Sequence, residues 1–290
     1  MINLLAVIVI YNKEIEKSKT INSLLSAVNL NRHGIFKQFK LIIYDNSTYK
    51  QKISIEFPFK YQYTHNKKNE GVAKAYNFAC EVAMKENYEW IMLLDQDSTL
   101  HENYFTMISD ALEKNHNNID IVAFVPKIFH GKTMFSPAKV LWGGVHRHID
   151  VSHVGVYPKE IMSIGSCTVV RSSFIFEIGD FNEEFWLDCL DRWLFKTIYS
   201  RGKKVFVIDA FVTHELSVLD FNNLMNEKRY INQLKYETIF MKSYKSTFEN
   251  IFFLVRLLRR AFVLLIVAKN KKYFKITLNQ LKTILMKNVQ

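Results

Sequence analysis

Trp90-Ile91-Met92-Leu93-Leu94-Asp95-Gln96-Asp97 is an unbroken apolar run that ends in two carboxylates flanking one amide. A run this short and this hydrophobic reads as a strand buried on both faces, so the acids occupy the turn where it leaves the sheet. In open α/β sheets that edge is where ligands bind. Carboxylates at this spacing can converge on one divalent cation, Mg²⁺ or Mn²⁺, whose shell is completed by phosphate oxygens. The competing reading is a solvated turn in which Asp97 caps a helix starting near His101.

Strand-like and helix-like stretches alternate on both sides of this run, the pattern of a sheet with covering helices. Leu4 to Ile10 is a strand, Ile15 to Leu30 a helix, and Phe39 to Tyr44 a strand ending at Asp45, Asn46 and Ser47. Tyr61 to Thr64 is a short strand and Val72 to Lys85 a helix that leads into the run at Trp90. Three strands therefore end in polar residues: Tyr11 and Asn12, Asp45 and Asn46, Asp95 and Asp97. In a parallel sheet these tips share one crevice. A helix is expected from His101 to Asn115 and a strand from Ile121 to Val125.

Residues 127 to 160 hold Trp142, Gly143, Gly144, His146, His148 and His153 and read as a long loop or hairpin of the kind that carries binding function. The three histidines match no helical or finger spacing, so an acceptor loop is expected there rather than a metal cluster. Beyond it come a strand from Ile161 to Val170 containing Gly165 and Ser166, a short helix from Phe174 to Gly179, and a helix from Leu190 to Ser200 closed by Gly202. Val205 to Ile208 is the last strand, with His214 soon after.

At 290 residues the chain can form one large domain or a core domain with an appendage, and 49% hydrophobic with 14% aromatic residues argues against disorder. Cys80, Cys167 and Cys189 are odd in number and lack a CxxC arrangement, which excludes a disulfide framework and a zinc site. The apolar start runs into Asn12 and Lys13 without a basic n-region or a cleavage site. It reads as a first strand, and a reduced cytosolic setting is expected.

Asn69, Gly71, Ala73, Ala75 and Asn77 form an NxGxAxAxN pattern at a loop-to-helix junction. Small residues there let backbone approach a ligand or a neighbouring segment, and a helix N-terminus favours anions, although alanines in a helix are also ordinary packing residues. Taken in order, Tyr11 and Asn12, Asp45 to Ser47, NxGxAxAxN, the DQDS of Asp95 to Ser98, Ile164 to Ser166, Asp188 to Asp191 and His214 resemble the family 2 glycosyltransferases over roughly residues 3 to 217. The DQDS wording and the Phe185 to Asp191 segment are most like the rhamnosyltransferase-like subgroup.

The resemblance implies an α/β fold of the GT-A type, a mostly parallel, Rossmann-like sheet flanked by helices. It implies a catalytic domain over residues 1–220, with a nucleotide-sugar half of about 1–100 and an acceptor half of about 101–220. Asp45 would contact the nucleotide base, with Tyr11 and Asn12 framing the pocket. Asn69, Gly71, Ala75 and Asn77 would border the donor, and Asp95 would lie toward the ribose. Asp97 would hold Mg²⁺ or Mn²⁺ at the diphosphate, with His214 reaching the metal or the diphosphate. Asp191 corresponds to the general base, and Gly165, Ser166, Asp188 and Trp193 would line the acceptor side.

Breaking a sugar-to-diphosphate bond builds charge on the leaving phosphate, which a hard cation stabilises, while a carboxylate takes the proton of the incoming hydroxyl. One base and one metal suit a single inverting displacement. Plain structural readings compete: Asp188 as an N-cap with Asp191 in the first helical turn, His214 as a surface histidine, and Gly165 and Ser166 as part of a tight strand. Two positions depart from the subgroup, which usually has an acid where this chain has Trp193 and tends to have glycine where it has Cys167.

Residues 225 to 290 hold 14 Lys and Arg against three Glu, so the whole net charge of +11 lies there, while the first 224 residues balance 25 of each sign. Ile251 to Ala268 is apolar for 18 residues but contains Arg256, Arg259 and Arg260. Three arginines cost on the order of 8 to 10 kcal/mol in a bilayer, and the apolar residues return about 4 to 8, so spanning is unfavourable. A second helix is expected from Tyr273 to Met286.

A basic, amphipathic tail over 221–290 suits the surface of an anionic membrane, or packing on the catalytic domain or on a second copy to give a homodimer. Nucleic acid is the poorer candidate because the charges lack a recognition fold, and no nucleic-acid partner is expected. The expected activity is transfer of a sugar, rhamnose from dTDP-rhamnose, onto a lipid-linked cell-surface glycan by a cytoplasmic enzyme peripheral to the inner membrane face. The alternatives are another UDP- or dTDP-hexose as donor, or a non-catalytic nucleotide-sugar-binding scaffold. A nucleotidyltransferase is disfavoured because residues 11 to 20 contain no glycine for a phosphate loop.

Overall fold

The apolar stretch INLLAVIVI forms β1 (Ile2–Ile10), and all of it but Asn3 is buried because it runs between two parallel neighbours. A computed structural model describes residues 2–30, 36–141, 145–214, 225–268 and 270–287. Trp142, Gly143 and Gly144, noted in the sequence, lie outside the described residues, as does the expected boundary at 220. Residues 1–139 with 147–215 form one compact unit, and residues 140–146 with 216–290 form a second.

In the first unit, α1 (Lys19–Leu30) precedes β2 (Phe36–Asp45), and β3 (Lys60–His65) leads to α2 (Val72–Glu86) and β4 (Trp90–Leu94). Strands β3, β2, β1 and β4 lie side by side and parallel. Their register aligns Ile10 with Asp45, Asp45 with His65, and Ile8 with Leu94, so the tips holding Tyr11, Asn46 and Asp95 come to one edge. Five consecutive buried residues in β4 match the continuous apolar run, because strands and helices cover both faces. Ala75, Ala79 and Ala83 of α2 are fully buried.

After β4 the chain forms β5 (Ser98–Leu100), α3 (Tyr104–Lys114), β6 (Ile121–His130), β7 (Thr133–Ser136), β8 (Ala138–Val140), β9 (His146–His148), β10 (Gly155–Val156), β11 (Ile161–Met162) and β12 (Thr168–Arg171). Next come α4 (Ser172–Glu177), α5 (Leu190–Ser200) and β13 (Lys204–His214). The sheet order is β10-β13-β6-β12-β4-β1-β2-β3. β12 runs antiparallel to both β4 and β6, and β13 is parallel to β6, so two reversals restore the direction of β4. The far end of β13 therefore reaches the same edge as Asp95. There β5 pairs antiparallel with it, setting Ser98 opposite His214.

Several expectations change. The expected helix at Ile15 splits into a 3-10 turn over Ile15–Lys17 and α1, because Ser18 is extended at the junction, accepts from the Ile21 N–H and donates to the Gln96 carbonyl. No helix follows Asp97 directly: residues 98–100 are spent on β5, and α3 starts at Tyr104 behind Asn103. The expected strand from Ile161 to Val170 is broken into β11 and β12, which leaves Gly165 and Ser166 in the turn between them. His214 is the last residue of β13 rather than a residue beyond it.

About half of 127–160 pairs as well. β6 runs on to His130 and turns back onto β7, while β11, β8 and β9 form a second, three-stranded sheet. Cys167, where glycine was expected, has φ +57°, a left-handed conformation that glycine adopts without penalty. Its 0% exposure and the hydrogen bonds of its N–H to the Leu93 carbonyl and of its carbonyl to Tyr104 Oη hold it there.

The second unit contains α6 (Glu227–Tyr244), α7 (Thr247–Val267) and α8 (Lys272–Lys287), and α6 was not foreseen. Asn226 caps α6, and Ser246 with Glu249 forms a reciprocal capping box on α7. Tyr230 Oη and Thr277 Oγ1 bond at 2.7 Å, joining α6 to α8. Arg260 of α7 donates from both Nη atoms to Glu237 of α6, at 2.8 and 3.3 Å, and Glu237 is only 3% exposed. Removing one partner of such a pair strands the other charge away from water. Arg260→Met should therefore destabilise this unit by about 3 kcal/mol, and the double change Glu237→Gln with Arg260→Met should recover part of the loss, as read from denaturant melts followed by circular dichroism.

Candidate active site

The turn after β4 is held from three sides. Gln96 Oε1 accepts the Tyr11 N–H at 2.9 Å, and its carbonyl accepts Ser18 Oγ at 3.1 Å. Thr20 Oγ1 accepts the Ser98 N–H and donates to the Ser98 carbonyl, at 2.9 and 3.0 Å. These bonds tie the turn to the segment after β1 and leave both aspartates at the sheet edge.

Each aspartate meets a different cationic or basic partner. Asp95 Oδ2 lies 3.1 Å from His214 Nδ1, and Ser98 Oγ lies 3.0 Å from the same nitrogen. Ser98 Oγ also bonds Ser166 Oγ at 2.6 Å. Asp97 Oδ1 instead meets Lys13 Nζ at 3.1 Å. Asp97 and His214 were expected to act together, whereas here His214 sits on Asp95. In the neutral ring that donates Nδ1–H to Asp95, the lone pair is on Nε2, the arrangement usual for a metal-ligating histidine backed by a carboxylate.

In chemical type, though not in placement, the donors here match a hard divalent cation. Asp97, Asp95 and the Nε2 of His214 offer carboxylate oxygens and one imidazole, and an ammonium already lies against Asp97 as a positive charge. Among the described residues no group of three or more His, Cys, Asp or Glu side chains is placed so as to hold a metal ion. Lys13 escaped sequence reasoning because a lysine two residues past a strand tip carries no distinctive pattern.

Asp191 opens α5 on the other side of the Ser166 turn. A Cβ on Gly165 would lie 3.9 Å from Asp191 Cβ, so the glycine sits directly against the acid. Ser166 thus links the neighbourhood of Asp191 to Ser98, His214 and Asp95. Asp191 keeps some solvent access but is otherwise enclosed, and burial pushes its carboxyl up, opposed by the charge of Arg192 and by backbone N–H groups. The Arg192 N–H donates to Asp191 Oδ1 at 2.7 Å.

Tyr76, unnoticed inside the NxGxAxAxN pattern, is pushed up by burial and then by the charges of Asp95 and Asp191. One phenol thus feels both acids. The competing reading of Asp188 as the N-cap of α5 does not hold: the cap is Cys189, whose φ is +69°. Asp188 is half-buried one residue before it.

Asp45 is fully buried rather than presented to a ligand. Its Oδ1 accepts the Ser47 N–H at 2.9 Å and its Oδ2 accepts Tyr63 Oη at 2.7 Å. Burial and that donated bond push the Tyr63 phenol up to about 12. Ser47 Oγ accepts the Asn12 N–H at 2.8 Å, and Gln51 Nε2 donates to the Lys13 carbonyl at 2.9 Å. Asp45, Tyr63 and Gln51 therefore shape the segment from Tyr11 to Lys13, while Tyr11 stays 48% exposed.

At the start of α2 the small residue admits protein. Gly71 has φ +98°, and a Cβ there would lie 2.3 Å from the Trp186 carbonyl oxygen and 2.4 Å from Trp186 Cδ1. Trp186 Nε1 donates to the Asn69 carbonyl at 2.9 Å, and the Val72 N–H donates to the Trp186 carbonyl at 2.8 Å. A backbone carbonyl therefore occupies the first N–H of the helix, which was expected to attract an anion.

Three other expected contacts serve the fold. Ala75 is fully buried. The Asn77 amide exchanges two bonds with the backbone of Phe181, at 2.8 and 3.0 Å. Trp193 is 6% exposed, with its ring 6.2 Å from that of Phe181, so a buried indole stands where the subgroup has an acid.

Residues 5–174, more than half of the chain, match Glycosyl transferase family 2. The chain belongs to this family. This family 2 glycosyltransferase is 26% identical over 199 residues to the dTDP-rhamnosyl transferase RfbF of Shigella flexneri, an alignment covering 68% of this chain and 63% of that protein. The chain thus spans less than two-thirds of that relative's length. Among solved structures it is similar to S. aureus TarS, with a TM-score of 0.52 at 13% identity over 93% of this chain and 45% of that one. It is also similar to TarS 1–349, with a TM-score of 0.51 at 13% identity over 88% and 79%. The fold is the GT-A arrangement that the sequence motifs implied.

Two substitutions probe this glycosyltransferase. Gly71→Ala forces a side chain into Trp186 at a backbone angle that only glycine tolerates, so a melt should show a loss of about 2 kcal/mol or more. Asp191 carries the opposite sign. Because burial raises its folded value, its ionisation opposes folding as pH rises above the ordinary aspartate value of 3.8. Asp191→Asn, which keeps the Oδ1 acceptor, should leave the melting temperature at pH 7 equal or higher, and a clear drop would contradict the assignment.

Proposed function

We propose that this chain moves a hexose from a nucleotide diphosphate donor to an acceptor hydroxyl by a single inverting displacement. The donor we favour is dTDP-rhamnose and the acceptor a growing, lipid-linked cell-surface polysaccharide. The observation that supports this reading most is the continuity of Asp191, the Gly165–Ser166 turn, Ser98, His214 and Asp95, with Asp97 on the next turn residue but one. A candidate base and the candidate cation acids thus border one edge of one sheet. The similarity to a dTDP-rhamnosyl transferase supports the choice of donor.

In this reading the nucleotide base lies on the exposed ring of Tyr11, where a π-face is available. Asn12 borders the same pocket, and Asp45 acts through Ser47 and Tyr63 as a positioning residue instead of touching the base. Asn69 and Gly71, locked by Trp186, form the donor-side wall. Asp97, with Asp95 and the Nε2 of His214, would hold Mg²⁺ or Mn²⁺, which supplies electrostatic stabilisation to the departing diphosphate. Asp95 fixes the tautomer and orientation of His214. Lys13, displaced from Asp97 on donor binding, supplies a further positive charge to the phosphate oxygens.

Asp191 accepts the proton of the acceptor hydroxyl as that oxygen attacks. A carboxyl raised by desolvation is a stronger base than a solvated aspartate and is matched to this role. Gly165 leaves room beside it for the hydroxyl, and Ser166 and Asp188 border the acceptor. No second carboxylate nucleophile is needed.

The deciding experiment measures nucleoside diphosphate release from a panel of dTDP- and UDP-hexoses, with acceptor and Mn²⁺ present. Asp191→Asn should lower kcat by about 10² to 10⁴ while leaving donor affinity intact, and the acid limb of the rate profile should sit above 3.8. Asp97→Ala should abolish turnover and weaken Mn²⁺-dependent donor binding. Full activity in Asp97→Ala, or indifference to chelator, would sink the cation assignment. Donor binding with no diphosphate release from any sugar would favour a non-catalytic binder.

A further inference from the structure

Residues 225–290 carry the whole excess of positive charge, and the structure adds an apolar face on α7 that its own unit's packing leaves exposed. Phe253, Leu257, Ala261 and Leu264 of this helix are buried within the unit. Ile251, Val255, Leu258, Phe262 and Ile266 are between 54% and 64% exposed. At 100° per residue these five fall within about a quarter of the helix circumference, on the side away from the buried row. They form a stripe four turns long, from one end of α7 to the other.

The positive charges are placed along its margin. Arg259, exposed, follows Leu258 and borders the stripe at mid-length. Arg260, further round, is used internally by Glu237. Lys271 Nζ donates to the carbonyls of Leu265 and Ala268, at 2.6 and 3.0 Å, which puts an ammonium at the C-terminal end of the same helix. Lys272, Lys275 and Lys282 of α8 are exposed as well. Among the described residues no helix is long and apolar enough to cross a membrane.

We propose that α7 lies flat on an anionic lipid surface, with Ile251, Val255, Leu258, Phe262 and Ile266 entering the acyl boundary and Arg259 and the lysines meeting lipid phosphates. Charge selects this occupant. A second copy of the chain would bring another +11 against the first, whereas an anionic leaflet neutralises it. A nucleic acid would need cations across the face itself, and five apolar side chains fill that position. Burying such a stripe in the interface gives affinity, and the flanking cations make it sensitive to lipid charge. The inference does not depend on the transfer chemistry proposed above. It adds to that reading a means of keeping the chain at the lipid surface that carries the proposed acceptor.

The test is co-sedimentation of the full chain with phosphatidylcholine vesicles and with vesicles containing about one-third phosphatidylglycerol. Binding should be confined largely to the anionic vesicles and should weaken as salt rises. Arg259→Gln should lower the affinity about fivefold. Val255→Asp, Leu258→Asp and Phe262→Asp together should lower it more than tenfold, with an unchanged melting temperature and unchanged diphosphate release from free donor.

Equal binding to neutral vesicles, or a triple variant that binds like the parent, would overturn the proposal. A parent dimer that the triple variant converts to monomer, without any vesicle binding by the parent, would overturn it in favour of a second copy. If the triple variant melts early, the Arg259→Gln and salt series decide the question alone, because neither touches the buried face. Lost diphosphate release with retained vesicle binding would instead count against the proposed chemistry.

Discussion

The register of β1 against its two parallel neighbours is the constraint on which the site depends. Ile10 opposite Asp45 and Ile8 opposite Leu94 bring three strand tips to one edge, and a shift of one residue would turn every side chain of the central strand to the other face. The register is held because β1 is buried on both faces, so a slip would force every side chain into the close-packed layer on the other side. β12, antiparallel between β4 and β6, then lets β13 deliver His214 to the same edge from a distant part of the chain. Ser98, paired with His214 in the ladder and bonded to Ser166, joins the two halves of the sheet at the point where the acids lie.

Electrostatics at this edge follow from that convergence. Asp95 and Asp97 would repel each other if both stood bare, and the fold gives each its own partner, His214 for one and Lys13 for the other. Asp191, by contrast, is enclosed without a full counter-charge, and desolvation raises its carboxyl. Tyr76 feels the charge of both acid positions from inside the protein. Two carboxylate environments of different character thus lie on either side of the Gly165–Ser166 turn, the contrast that the proposed acid–base and charge-stabilising roles call for.

The NxGxAxAxN segment shows how one pattern can serve two needs. Its glycine does admit a close approach, but the partner that approaches is Trp186, whose indole and carbonyl lock the loop to the start of α2. Its second asparagine clamps the backbone at Phe181. Small and amide residues there fix the loop through protein contacts, and in the proposed reading the donor meets the result. Asp45 works the same way, spending both oxygens on Ser47 and Tyr63 so that Tyr11 and Asn12 are presented.

Hydrophobic periodicity and charge are local properties, and they were legible in the chain. The apolar runs at Leu4–Ile10 and Trp90–Leu94, the acids behind the second run, the helix from Leu190 to Ser200 and the collected charge of the tail all appear without coordinates, because burial on two faces leaves a continuous apolar run. What pairs with what was decided by tertiary structure. Lys13 and Asp97 are 84 residues apart, and nothing in either neighbourhood announces the contact. The break at Gly165–Ser166, the partnership of Asp95 with His214 and the exposed side of α7 likewise depend on how strands reverse and which helical face finds a neighbour. Composition records which side chains prefer burial, whereas only the assembled sheet and helices determine which of them obtain it.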